Sequence, residues 1–333
     1  MKKFLGFVIT LFSLGCLWAG ITYPTVGRLI YETAIHAESD SIGFDKATYE
    51  VDGVPMAVYQ PESQPESQPE SRPESLINSA ATPKPVLILI HGFSANKESW
   101  LRFAKHFSKD YQVYIPDLAG HGDTGFKPEW DYSAPAQARL LLKLMNQLEI
   151  EQAHVLGHSM GGFVAATMAV NYPHRIQSVV LISPAGVVPP KPSKMDVVLE
   201  QGKNPLLIQT REEFATLLSM SMGKPPYVPQ PVRDYLADQY IEQREQLTHV
   251  FGDFHRKDML DSRLDELRSP VLVLWGSKDE LVDVSSLPVW TKGIRNVRST
   301  VYEDLGHMPM VEDTPRVAKD VWGFLNKAGE KRN

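Results

Sequence analysis

An apolar run, Val155-Leu156, passes into Gly157-His158-Ser159-Met160-Gly161 and then into the helix-prone sequence FVAATMAVNY. A G-x-S-x-G pattern flanked in this way predicts a strand, a tight turn and a helix, with Ser159 at the apex of the turn. Such a turn strains its apex residue. Side chains two residues to either side would strike the neighbouring strand or helix, so both positions call for glycine. Gly157 and Gly161 occupy them. The bare pattern is weak evidence, because it recurs by composition alone; the flanking strand and helix make Ser159 a candidate nucleophile rather than an ordinary turn residue.

A serine hydroxyl needs a base within hydrogen-bond reach and an acid that holds the base in the correct tautomer. With the elbow in mid-sheet, the expected chain order is Ser, Asp, His, each after a strand. Pro270–Trp275 reads as a strand and delivers Asp279 after a short turn; Asp283, one helical turn beyond, is the reserve acid. Arg298–Tyr302 reads as the last strand and delivers His307 in a Gly-His turn. Of the other nine histidines, His91 and His158 lie in backbone turns, His121 in a glycine loop, His154 at the start of the strand before Ser159, His106, His174, His249 and His255 on helical or cap stretches, and His36 before the domain. The oxyanion would need two backbone N–H donors, one after the nucleophile and one from the loop after the third strand, which selects Met160 and Phe93.

The remaining segments supply the scaffold. Phe44–Val51 and Val54–Gln60 alternate as strands around Asp52-Gly53, a two-residue hairpin signal. Val86–Ile90 is a continuous apolar run of the kind a strand buried on both faces shows, and it ends in His91-Gly92-Phe93-Ser94. Helices are predicted over Asn96–Lys109, Ser133–Leu148 and Thr314–Asn326, and further strands over Tyr111–Ile115, His154–Gly157 and Ser178–Ile182. Residues 187–268 break this rhythm with prolines and helical stretches at Arg211–Met222 and Val232–Glu245, and read as an inserted helical cap. The expectation is an α/β fold: a mostly parallel eight-stranded sheet with helices on both faces, its core at residues 44–186 and 269–330. The four-residue repeat QPESQPESQPESRPES at 60–75 has no apolar residue to bury and is expected to be a disordered loop between two strands.

The N-terminus begins Met1-Lys2-Lys3 and runs from Phe4 to Ile21 without a charge. Eighteen apolar residues reach about 27 Å, marginally enough for a hydrocarbon core of about 30 Å. Three readings stay open for residues 1–21: an anchor helix, a cleaved export signal, or a lipoprotein signal in which Ser13-Leu14-Gly15-Cys16 makes Cys16 the candidate lipidation site. All three put the catalytic body outside the cytoplasm, with residues 22–43 as a connector. A net charge of -6 with no basic cluster argues against a nucleic-acid partner, and a single cysteine excludes a disulfide framework.

With these parts placed, the chain resembles the α/β-hydrolase superfamily over residues 44–330. Within that superfamily HGFSANKESW, NPLLIQTREEF with MSMGKPPYVP, WGSKDELVD and EDLGHMPMVE are similar to segments of the membrane-associated monoacylglycerol lipases and related bacterial lipases and esterases. The resemblance implies a triad of Ser159, Asp279 and His307, an oxyanion hole at Phe93 and Met160, acyl esters or acylglycerols as substrates, and no metal or organic cofactor. Two alternatives stand beside it: a capped hydrolase of carbon-carbon or amide bonds, and a non-catalytic binding protein on the same fold.

Overall fold

The computed structural model describes residues 25–62 and 84–330. The expected N-terminal anchor or signal segment with Cys16, and all but the first residues of the PES repeat, lie outside the described residues.

In chain order the elements are helix α1 (residues 25–42), β1 (Phe44–Val51), β2 (Val54–Pro61), β3 (Val86–Ile90), α2 (Leu101–Ala104), β4 (Gln112–Pro116), α3 (Ala134–Gln147), β5 (Ala153–His158), α4 (Met160–Asn171) and β6 (Ile176–Ile182). The cap then contributes α5 (Lys194–Glu200), α6 (Arg211–Ser221), α7 (Gln230–Glu242) and α8 (Arg244–Phe254). The sheet resumes with β7 (Val271–Gly276), α9 (Leu287–Gly293), β8 (Val297–Tyr302), α10 (Pro309–Glu312) and α11 (Thr314–Glu330). One sheet holds all eight strands in the order β1-β2-β4-β3-β5-β6-β7-β8. Only the β1/β2 and β2/β4 pairings are antiparallel.

The hairpin forms where Asp52-Gly53 predicts it. Val51 pairs with Val54, and both loop residues have positive φ, 52° and 79°, as a type I′ turn requires. The central strands read as unbroken apolar runs because both of their faces are covered. Ile88 and Ile90 of β3, Val155 of β5, and Val271, Val273 and Trp275 of β7 face one core with α3 and α4. Leu87, Leu89, Leu156, Leu272 and Leu274 face the other, with α2 and α11. Helix α4 is buried from Met160 to Val170, so the helix following Ser159 is the hub of the first core rather than a surface element.

Two segments differ from their sequence reading. The helix predicted over Asn96–Lys109 is a 3-10 turn at Lys97–Trp100, the single turn α2, and then hydrogen-bonded turns. At its start Lys97 is drawn into the interior, at 1% exposure, to pair with Asp117. The connector at 22–43 is, over its described residues, the helix α1 packed against the body. A Cβ at Gly27 would lie 2.0 Å from the Pro231 carbonyl oxygen of the cap, and the Tyr31 and Tyr235 rings meet at 5.7 Å. Farther along, Ile35 and Ile42 pack on the second core.

Candidate active site

Strand β5 ends at His158, and Ser159 takes φ 54° and ψ −119°, a conformation in which a residue with a side chain is strained. Three backbone hydrogen bonds hold it there: its N–H donates to Ile182 O at 3.0 Å, and its carbonyl accepts from Phe163 N and Ala185 N, both at 3.1 Å. A Cβ at Gly157 would stand 2.1 Å from Gly161 O, and one at Gly161 would stand 2.3 Å from the carbonyl oxygens of Ile90 and His91. Both glycines are therefore required by close backbone approach. Met160 opens α4, where the first amides of a helix have no intrahelical acceptor. The loop after β3 comes to meet it: a Cβ at Gly92 would lie 3.2 Å from Ser159 Cβ, so Phe93 follows directly from a contact with the elbow.

Asp279 and His307 form a buried pair, with Nδ1 to Oδ2 at 2.7 Å. With its proton on Nδ1, the His307 ring presents Nε2 as an acceptor. Ser159 and His307 line the same cleft. The Asp279 carboxylate is fully engaged. Oδ2 also accepts from Trp275 Nε1 at 3.1 Å, and Oδ1 accepts from the amides of Leu281 and Val282, both at 2.9 Å. The reserve acid Asp283 is occupied elsewhere, capping a 3-10 turn by accepting from Ser285 N at 2.8 Å. Asp304 points outward to Arg316 and Lys224.

Below the loop that carries Phe93 lies a charge cluster in which Lys97 and Asp117 are buried and Asp123 reaches solvent. Lys97 Nζ is 2.7 Å from both Asp117 Oδ2 and Asp123 Oδ2, and the Lys97 amide donates to Asp117 Oδ1 at 2.7 Å. The Lys97–Asp117 pair, desolvated and hydrogen-bonded, fixes geometry more than it adds net stability. Next to it, Leu118 N donates to His91 Nε2 at 3.0 Å, which places the His91 proton on Nδ1, toward Gly92 O at 2.8 Å. His91 is thus neutral, and its 3.8 Å approach to Asp117 is not an ion pair.

Burial pushes His91 down to about 4 and His121 to about 3, and holds His158 well below the ordinary imidazole value. The unfolded chain, with imidazoles near 6.5, binds more protons than the folded one as pH falls below that value. Stability is therefore full above about pH 6.5 and declines toward pH 4, with a limiting slope of about 1.4 kcal/mol per pH unit for each histidine. Urea unfolding at pH 7.5, 6 and 5 measures this; an unfolding free energy that does not change across the series would contradict the neutral burial of these rings.

The cap roofs the site with an apolar cleft of about 800 Å³, part of it open to solvent. Phe214, Leu217 and Leu218 of α6, Met195 of α5 and Phe251 and Phe254 of α8 line it, with Phe93 from the core side. Phe93 is in contact with both phenylalanines of α8, at 5.6 and 5.4 Å between ring centroids. Tyr240 of α7 and Ser94 of the loop after β3 line the same cleft. A lining of this kind suits an apolar ligand.

Of the residues read from sequence, Ser159, Asp279, His307, Phe93 and Met160 come together at the carboxyl ends of β3, β5, β7 and β8. Two contributors escape a sequence reading. Trp275 supports Asp279, and His158 packs its ring 4.7 Å from that of His307 while donating from Nε2 to the His307 carbonyl at 2.9 Å. Trp275 stands four residues before Asp279 at the end of an apolar run, so its indole reads as core; only the fold turns its N–H toward a carboxylate. His255 also lines the cleft, but stacked flat on Phe251 at 4.4 Å.

A mostly parallel eight-stranded sheet, a strained serine turn between strand and buried helix, and a helical cap inserted between β6 and β7 define a capped protein of the hydrolase type. The chain belongs to the α/β-hydrolase family: residues 85–314 match the family model described as alpha/beta hydrolase fold. Among its relatives, Lipase 3 of Moraxella sp. (strain TA144) is 33% identical over 74% of this chain and 79% of its own. Human monoacylglycerol lipase ABHD6 is 29% identical over 73% of this chain and 75% of its own. The crystal structure of a membrane phospholipase A superposes with a TM-score of 0.82 at 29% identity, covering 98% of this chain and 99% of that one.

Proposed function

We propose that this chain is a membrane-associated serine esterase that cleaves carboxylic esters of acyl chains, with monoacylglycerols as the favoured substrate class. The lipases among its relatives support an ester-hydrolysing α/β hydrolase. The observation that carries the finer reading is the convergence of Ser159 and the Asp279–His307 pair on one apolar cleft. In this mechanism His307 Nε2 takes the Ser159 proton as Oγ attacks the ester carbonyl, and the amides of Phe93 and Met160 stabilise the oxyanion. The alcohol leaves with the proton from His307, and water repeats the sequence on the acyl-enzyme.

The acyl chain lies under the cap, among Phe214, Leu217 and Leu218. No helix of the described residues is long and apolar enough to cross a membrane, so tethering is assigned to the segment before them. Its support is the apolar stretch from Phe4 to Ile21 and the exposure of Val26, Leu29 and Ile30 where α1 begins. This topology sets the catalytic body outside the cytoplasm.

A panel of monoacylglycerols and p-nitrophenyl esters of rising chain length tests the substrate class. The expected result is a kcat/KM that climbs with chain length by about 0.8 kcal/mol, or roughly fourfold, per buried methylene until the cleft is full. A profile that falls steadily beyond acetate would defeat the lipid reading and leave a short-chain esterase.

A further inference from the structure

His307 is held by its backbone as tightly as by its ring. Its amide donates to Ser221 O at 2.8 Å, at the C-terminal end of cap helix α6, and its carbonyl accepts from His158. The amides on either side, Gly306 and Met308, donate to the Glu312 carboxylate at 2.8 and 3.3 Å. That carboxylate also accepts from the cap, from Lys224 N at 2.8 Å. The joint is close. A Cβ at Gly306 would lie 2.6 Å from Gly223 N and 3.0 Å from Met222 Cα, and Lys224 Nζ adds an ion pair with Asp304 at 3.3 Å.

We propose that Glu312 is a positioning residue that joins the cap segment 221–224 to the His307 loop, so that the base is aligned when the cap is seated over the acyl chain. Helix α6 is the lever. It lines the cleft through Phe214, Leu217 and Leu218, and its last carbonyl is the acceptor for the His307 amide. A chain packed against α6 therefore favours the seated position, and the seated position orders the base; both sites bias one element with two arrangements. This rests on the reading of His307 as the base.

The test uses the full chain and compares wild type, Glu312→Gln, Gly223→Ala and the double variant on p-nitrophenyl butyrate and laurate. Turnover is counted per site titrated with a fluorophosphonate. The Gln carboxamide keeps one acceptor oxygen and turns two N–H groups toward amide donors. A methyl at residue 223 would press 3.1 Å from Asp304 O and 3.3 Å from Gly306 N, opening the same joint from the cap side. Each single variant is expected to lose about 10-fold or more in kcat per titrated site, with KM moving less than about threefold.

The double variant is expected to fall no further than the worse single one, because both release one joint. A merely structural role would lower the titratable fraction and leave kcat per site unmoved. Unchanged kcat per site in either single variant, or losses that multiply in the double one, overturns the proposal. If Glu312→Gln does not fold, Gly223→Ala decides alone by the same criterion. Absence of turnover in the wild type would instead overturn the serine-esterase reading itself.

Discussion

Ser159→Ala is expected to reduce ester turnover on the order of 10⁶-fold while leaving the fold intact. The substitution removes one oxygen from a residue whose place is fixed by its backbone, through the bonds to Ile182, Phe163 and Ala185. Alanine meets the same strain at φ 54° that serine does. The unfolding free energy should stay within about 0.5 kcal/mol of the wild type. Kinetics on a long-chain monoacylglycerol and a urea melt measure the two halves. Turnover within about 100-fold of the wild type would mean that another group carries the chemistry.

Asp279→Asn is expected to cost about 10⁴-fold in kcat for a different reason. The carboxylate accepts from His307 and Trp275 on one oxygen and from the Leu281 and Val282 amides on the other. A carboxamide cannot accept on both sides. If its NH₂ faces His307, the imidazole proton moves to Nε2 and the base is lost; if it faces the turn, two buried amides lose their acceptor. The second arrangement costs about 1–3 kcal/mol of stability for each unsatisfied group, which favours the first and hence the wrong tautomer. Asp283→Asn is the control, since that side chain only caps a 3-10 turn. A large loss in Asp283→Asn with near-normal Asp279→Asn would reassign the acid.

The fold was legible wherever local pattern and tertiary environment agree. β3, β5 and β7 read as unbroken apolar runs because each is buried on both faces, and Asp52-Gly53 marks its hairpin because only a turn with positive φ joins those strands. The spacing of Gly157 and Gly161 about Ser159 follows from close backbone approach, since a Cβ at either would come within 2.1 or 2.3 Å of a carbonyl oxygen. What stayed hidden depends on partners distant in sequence. Lys97 reads as a solvated helix residue until Asp117 and Asp123 are brought to it. Nothing in the sequence singles out Glu312 before the His307 loop and the cap converge on it. The packing of α1 on the cap has no periodic signal either, because it turns on one glycine against Pro231 and one ring against Tyr235.

The most direct test of the central claim is to trap the acyl-enzyme. Turnover of a long-chain ester is stopped with acid at steady state, and the digested protein is examined by mass spectrometry. The peptide containing Ser159 should gain the mass of the acyl group, at a position lost in Ser159→Ala and depleted by prior treatment with a fluorophosphonate. An acyl adduct at another residue, or none at Ser159 under conditions where the Asp279→Asn and His307→Ala variants turn over as fast as the wild type, would contradict it.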